Sequence, residues 1–299
     1  MAKTYGPIPL HASLRLVSVI FVVVLKKIVP GEFDRVFVSV GFAHYALALW
    51  YSQKQMGHVL SRQVSTIAAA FLAAAGAAVT YYNCPSIALY FGVHHALSDS
   101  YLFPREPRPA NMKPLLASRF VFNLAGYAIL LHQDPSFRWL PLPAMIAALL
   151  VSFAASLVCL WKLRPAMAPG EFRDQLLFDI VGLAVPLILL SQLHVFQGRR
   201  VFRPLVLYHF VFWNFIPAMK MAKTKHAKAL TRYAAETAAV TLLFFLMTLK
   251  ISKSLQDSQI ILWGYIHITA SFALSSLNPS WIRKWFSLPA PPRIVMKPT

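Results

Sequence analysis

Apolar residues run along this chain in blocks of about twenty, separated by short clusters of charge, proline and polar side chains. A helix needs about 20 mostly apolar residues to cross the hydrocarbon core, with about 17–25 tolerated. Cutting at the interruptions gives ten segments: Leu10 to Ile28, Phe33 to Ser52, Val64 to Tyr82, Pro85 to Phe103, Leu115 to His132, Trp139 to Leu163, Gln175 to Phe196, Pro204 to Met221, Leu230 to Leu249 and Gln259 to Leu277. The pattern predicts an all-α, polytopic transmembrane bundle of about ten helices. Arg15 interrupts the first segment near its start, so an interfacial helix is the alternative to a crossing there. No small-residue cleavage site follows it, which favours an anchor over a removable signal peptide.

Composition sharpens this picture. Hydrophobic residues make up 58% of the 299 and charged residues only 13%, whereas a water-soluble domain carries about 45–50% and about 25%. A soluble fold of this length needs more polar surface than that, so an ordinary globular protein is excluded. No repeat, linker or low-complexity tract divides the chain. A single membrane domain over 1–284 is expected, with the basic, proline-rich stretch 285–299 as a surface tail. Cys84 and Cys159 lie too far apart, in or beside apolar runs, for a disulfide framework or a zinc ribbon.

The net charge of +19 indicates nucleic acid in a soluble protein, but cytoplasmic loops in a membrane protein. With the N-terminus inside, the inner segments hold 20 of the 29 basic residues and the outer segments the other nine, the cluster Arg199, Arg200 and Arg203 being the main dissent. Both termini are therefore expected in the cytoplasm, with Trp50, Tyr51, Tyr81, Tyr82, Trp139 and Trp161 in interfacial belts. The expected location is an integral, multipass one, the inner or plasma membrane in a bacterial cell.

The candidate chemistry lies in the histidines. His11, His58, His132, His194 and His226 fall at segment ends or in loops, where solvation explains them. His44, His94, His95, His209 and His267 fall inside apolar spans, where ionisable groups are expensive and mark function. Their four segments are all even-numbered and so run in one direction. At about 1.5 Å per residue the imidazoles of the four segments lie about 16, 14, 8 and 12 Å below one boundary, close enough to share a layer.

The stretch Gly92-Val93-His94-His95-Ala96-Leu97-Ser98-Asp99 is the densest polar patch in any span. His95 and Asp99 stand four apart on one helical face, a spacing that lets the carboxylate fix the imidazole tautomer or act as a ligand itself. His94 points about 100° away. The bland reading of the patch is a polar seam joining helices. Neutral imidazoles on separate helices suit iron, copper or zinc, and an open coordination position supports chemistry. The expected metal-ligating set is His44, His94, His95, His209, His267 and Asp99. Phe91, Phe210, Phe212, Trp213 and Phe272 are the expected substrate walls, packing or lipid contact being their ordinary role.

Three familiar classes are missing their marks. The histidine clusters of membrane desaturases require histidine where Phe91 stands. No mid-span lysine is available for a retinal Schiff base. Paired haems of the cytochrome b kind use two histidines spaced along one helix, whereas His94 and His95 are adjacent.

Histidines scattered over separate spans, a histidine followed closely by aspartate, and a chain of about 300 residues resemble the Brp/Blh-like membrane β-carotene dioxygenases. The resemblance rests on His44, His95, His209, His267 and Asp99. It implies an iron centre that cleaves a polyene with dioxygen. That family carries two histidines four apart on a later helix, where this chain has His209 and Trp213, so His267 would take the second role.

The function expected is a histidine-ligated, non-haem iron oxygenase acting on an apolar substrate from the lipid phase, such as a carotenoid. The alternative is a non-catalytic subunit of a larger membrane complex, binding haem or a chlorophyll-like pigment through one imidazole per macrocycle. A transporter using Asp99, Asp179 and Glu236 is the third reading. The expected partners are the bilayer, the apolar substrate and, in the alternative, other membrane subunits. Nucleic acid is not among them.

Overall fold

The computed structural model describes residues 10–53, 57, 61, 66–67, 70, 73–76, 78, 86–100, 112–139, 141–167, 170–192, 202–223 and 227–274. Among these, every regular element is helical. The long helices are α1 (Leu10–Ile28), α2 (Phe33–Tyr51), α3 (Ser86–Ser100), α4 (Met112–Leu131), α5 (Leu142–Leu163), α6 (Glu171–Ser191), α7 (Phe202–Lys223), α8 (Ala227–Thr248) and α9 (Lys253–Leu274). Two single 3-10 turns, Pro135–Phe137 and Arg164–Ala166, follow α4 and α5. Most of the span Val64 to Tyr82, together with Cys84, His58, His194, His226 and the tail 285–299, lies outside the described residues.

Each long helix falls on an apolar block, and a helix satisfies the backbone of such a run within the run itself, as crossing lipid would require. Four helical stretches are long and apolar enough to cross a membrane: Met112–Leu131, Leu142–Ala166, Glu171–Ser191 and Ala227–Thr248. The most apolar part of α8 is only 6% buried within the chain. Leu242, Leu243, Leu246 and Met247 on it are exposed, an outward face suited to lipid rather than water.

Side-chain pairs fix the helix directions. From α2 to α7, Asp34 pairs with Arg203, Phe37 stacks on Phe210 and His44 meets Asn214, so the two run parallel. From α3 to α9, Ser86 meets Tyr265, Tyr90 meets Thr269 and His94 packs on Phe272, again in parallel. Asp34 and Tyr45 face Lys253 and His267, which gives α9 the direction of α2. Helix α4 opposes α3, with Tyr127 bonded to the Ala88 carbonyl and Asn123 near Ser100. The four histidine-bearing helices therefore point one way.

Close approach of α3 and α4 depends on Gly92. A Cβ there would stand 2.6 Å from the Tyr127 ring, which is itself 3% exposed and held by its hydroxyl. The main core joins α1, α2, α3, α4, α6, α7 and α9 through Val19, Phe37, Phe91, Tyr127, Phe178, Leu207 and Ile268 among others.

Candidate functional site

The parallel helices α2, α3, α7 and α9 each turn a histidine toward a common interior. His44, His94, His95, His209 and His267 are between 1% and 8% exposed. Their ring centroids lie 4.7 Å apart for His44 and His267, 5.2 Å for His94 and His209, 5.3 Å for His95 and His209, 5.8 Å for His94 and His267, and 6.0 Å for His44 and His209. Parallel helices entering at similar residue counts produce such a layer, because each residue advances the chain by the same rise. His209 is its centre, touching the other rings from α2 and α3.

Hydrogen bonds account for part of the nitrogen set. His44 Nδ1 stands 3.2 Å from Asn214 Oδ1, and His95 Nδ1 stands 3.1 Å from His209 Nδ1. The latter pair is a hydrogen bond when one ring donates and the other accepts. The ring nitrogens of His94 and His267 have no hydrogen-bond partner among the described residues.

A metal ion was tested against this set. Imidazoles that share one ion bind it at about 2.0–2.1 Å, which puts their ring centroids about 4.5–6.4 Å apart by simple geometry. The centroid spacings match that range, and the 3.1 Å between the His95 and His209 nitrogens is the separation of two donors about 2.0–2.1 Å from one ion. The nitrogens as they are turned do not complete a centre: among the described residues no three His, Cys, Asp or Glu groups are arranged to hold one ion. The donor chemistry and ring spacing fit a metal, and the present ring orientations do not.

Asp99 has a stronger partner than His95. Its carboxylate forms a buried ion pair with Arg15 of α1, while His95 Nε2 lies 3.7 Å away, beyond a hydrogen bond. Arg15 is 1% exposed, with its guanidinium 3.7 Å over the Phe178 ring. Sequence reading took this arginine only as an interruption. Helix α1 runs opposite to α3, so a charge near the start of one meets a charge near the end of the other, a pairing set by which helices touch. Beside the pair, a chamber of about 20 Å³ is lined by Arg15, His95, Asp99, Asn123 and Tyr208 among others. It has room for one water, and Arg15 Nε and Asp99 Oδ1 beside it lack protein partners.

The other two carboxylates of the transporter reading are also engaged. Asp179 pairs with Arg119 at 2.9 Å and accepts from Ser156 at 3.0 Å, joining α4, α5 and α6. Glu236 accepts from Tyr51 at 2.5 Å and from Arg232 at 2.6 Å.

An apolar cavity of about 490 Å³ occupies the first halves of the four parallel helices. Phe37, Ile87, Phe91, Val206, Phe210 and Ile260 form much of its wall; Tyr45 and His267 stand at its inner end, and Asp134, Arg203 and Asp257 at the other. Of the aromatic residues expected as walls, Phe91 and Phe210 border it. Phe212 instead packs on Tyr208 and below Arg15, Trp213 packs on His209, and Phe272 covers His94 and Tyr90. Tyr45, unremarked in the sequence beyond its place next to His44, is the residue that carries the histidine layer into the cavity.

Comparison with known protein families, characterised proteins and solved structures gives no match to this chain.

Proposed function

We propose that this chain is a polytopic integral membrane protein, with both termini cytoplasmic, that works as a histidine-ligated metal oxygenase on an apolar substrate drawn from the lipid phase. The observation that carries this reading is the five-histidine layer set against the inner end of a 490 Å³ apolar cavity. Cavities of about 300–1,000 Å³ with few polar groups are typical small-molecule sites. His95 and His209, whose nitrogens already face each other, together with His267 and His44 would hold ferrous iron. When bound, that iron supplies dioxygen activation at its open positions.

The chain's own groups supply the rest. Phe91 and Phe210 separate the layer from the cavity's wider part and exclude water from it. Asn214 fixes the tautomer and rotation of His44 through its side-chain oxygen. The Arg15 and Asp99 pair braces the His95 turn of α3 against α1. Crowding among the rings favours a small ion over a macrocycle between them.

A second reading has one observation behind it: His267 alone of the five borders the cavity. One imidazole suffices to hold a haem or chlorophyll-like pigment there, as a non-catalytic subunit would.

Elemental analysis and the optical spectrum of protein purified from its native membrane test both. The oxygenase reading expects stoichiometric iron without a Soret band, lost in His209→Ala and, in Asn214→Ala, which removes the group that orients His44, weakened by about 10–100-fold in affinity. A Soret band lost in His267→Ala supports the pigment subunit, and the absence of both iron and pigment overturns the two together.

A further inference from the structure

We infer that the cavity binds an uncharged hydrocarbon bearing one oxygen, an alcohol or carbonyl compound, with that oxygen at the inner end between Tyr45 and His267. This rests on reading the cavity as the substrate chamber, and it narrows the substrate.

The inner end is polar and unsatisfied. Tyr45 and His267 are 5% and 8% exposed, and their rings lie 4.9 Å apart. Neither the Tyr45 hydroxyl nor a His267 nitrogen has a hydrogen-bond partner among the described residues, although both side chains line the cavity. A ligand oxygen there would accept from the Tyr45 O–H or from the His267 N–H.

Charge excludes the acidic relatives of such a molecule. The charged residues lining the cavity are Asp134, Arg203 and Asp257, and all stand at its opposite end. A carboxylate or phosphate at Tyr45 would be buried without a counter-ion. An anionic headgroup gains little at the far end either. Arg203 is shared between Asp34 at 2.8 Å and Asp257 at 2.9 Å, and Lys253 is bonded to Asp34 at 3.1 Å. Among the described residues, Arg203 and Lys253 there are already paired with Asp34 and Asp257, and Asp134 adds a further negative charge.

Dimensions set the length. Asp257 and His267 are ten residues apart on α9, a rise of about 15 Å. A molecule of carotenoid length cannot be enclosed whole.

The test is scintillation-proximity binding of tritiated dodecanol to chelator-treated protein in nanodiscs. Saturable binding near one per chain is expected, with laurate and dodecane each competing at least about 10-fold more weakly than unlabelled dodecanol. Tyr45→Phe should weaken binding by about 3–10-fold, the loss of one hydrogen bond. Val206→Trp should abolish it, and Ile261→Trp serves if that variant does not fold. No saturable binding by helical wild-type protein, equal competition by laurate or dodecane, or undiminished binding in a folded tryptophan variant would overturn the assignment. Binding by protein that purifies with neither metal nor pigment supports the ligand class while removing the oxygenase reading. Iron without dodecanol binding does the reverse.

Discussion

At the scale of single residues, the Arg15 and Asp99 pair decides what substitutions near the histidines report. Asp99→Asn leaves Arg15 charged in a site where both side chains are 2% exposed. Breaking a buried pair by removing one partner costs about 3–5 kcal/mol, whereas replacing both with apolar residues of similar size is often neutral. Thermal unfolding in detergent should therefore show Asp99→Asn and Arg15→Met each strongly destabilised, and Arg15→Met combined with Asp99→Leu restored to near wild type. Additive losses in the double variant would mean that the pair is not the interaction that matters. The histidines themselves were legible in the sequence, since five ionisable groups inside apolar runs stand out. Asp99's partner was not, because pairing depends on which helices touch, and run lengths carry no record of that.

At the scale of elements, α3 is held by a single missing side chain. Gly92→Ala places a methyl group 2.6 Å from the Tyr127 ring, and that ring cannot swing away without losing its 2.6 Å bond to the Ala88 carbonyl. Overpacking of this kind costs about 1–3 kcal/mol. The expected outcome is a destabilisation of that size in chemical unfolding, relieved when Gly92→Ala is combined with Tyr127→Leu. A neutral Gly92→Ala would show that α3 and α4 are free to separate. Helix existence was read from hydropathy because lipid-compatible runs must be helical, but boundaries were set by apolar residues alone. Helix α9 thus begins at Lys253 and carries Gln256 and Asp257 before its apolar part. Rotation about each helix axis was the other illegible quantity. Phe210 borders the cavity, but Phe212 is turned about 200° further round α7 and lands beside Arg15.

At the scale of the whole molecule, the shared direction of α2, α3, α7 and α9 is what gathers the histidines, and it makes the topology testable. Lys228 and Lys253 lie at opposite ends of α8. With Cys84 and Cys159 replaced, single cysteines at these positions should label from opposite sides of sealed vesicles; labelling from one side would break the crossing pattern. The buried pair of Arg15 and Asp99 also bears on how the protein is made. Arginine at the centre of a membrane helix opposes insertion by about 2.5–3.5 kcal/mol, and the counter-charge of Arg15 is encoded 84 residues later. On the proposed topology, α1 would stay outside the lipid core during synthesis, or be held by the insertion machinery, until Asp99 arrives. Nascent chains stalled before residue 99 should leave α1 extractable by alkali, and chains stalled well beyond it should not. Helix α1, translated well before α3, would in this sense be installed together with it.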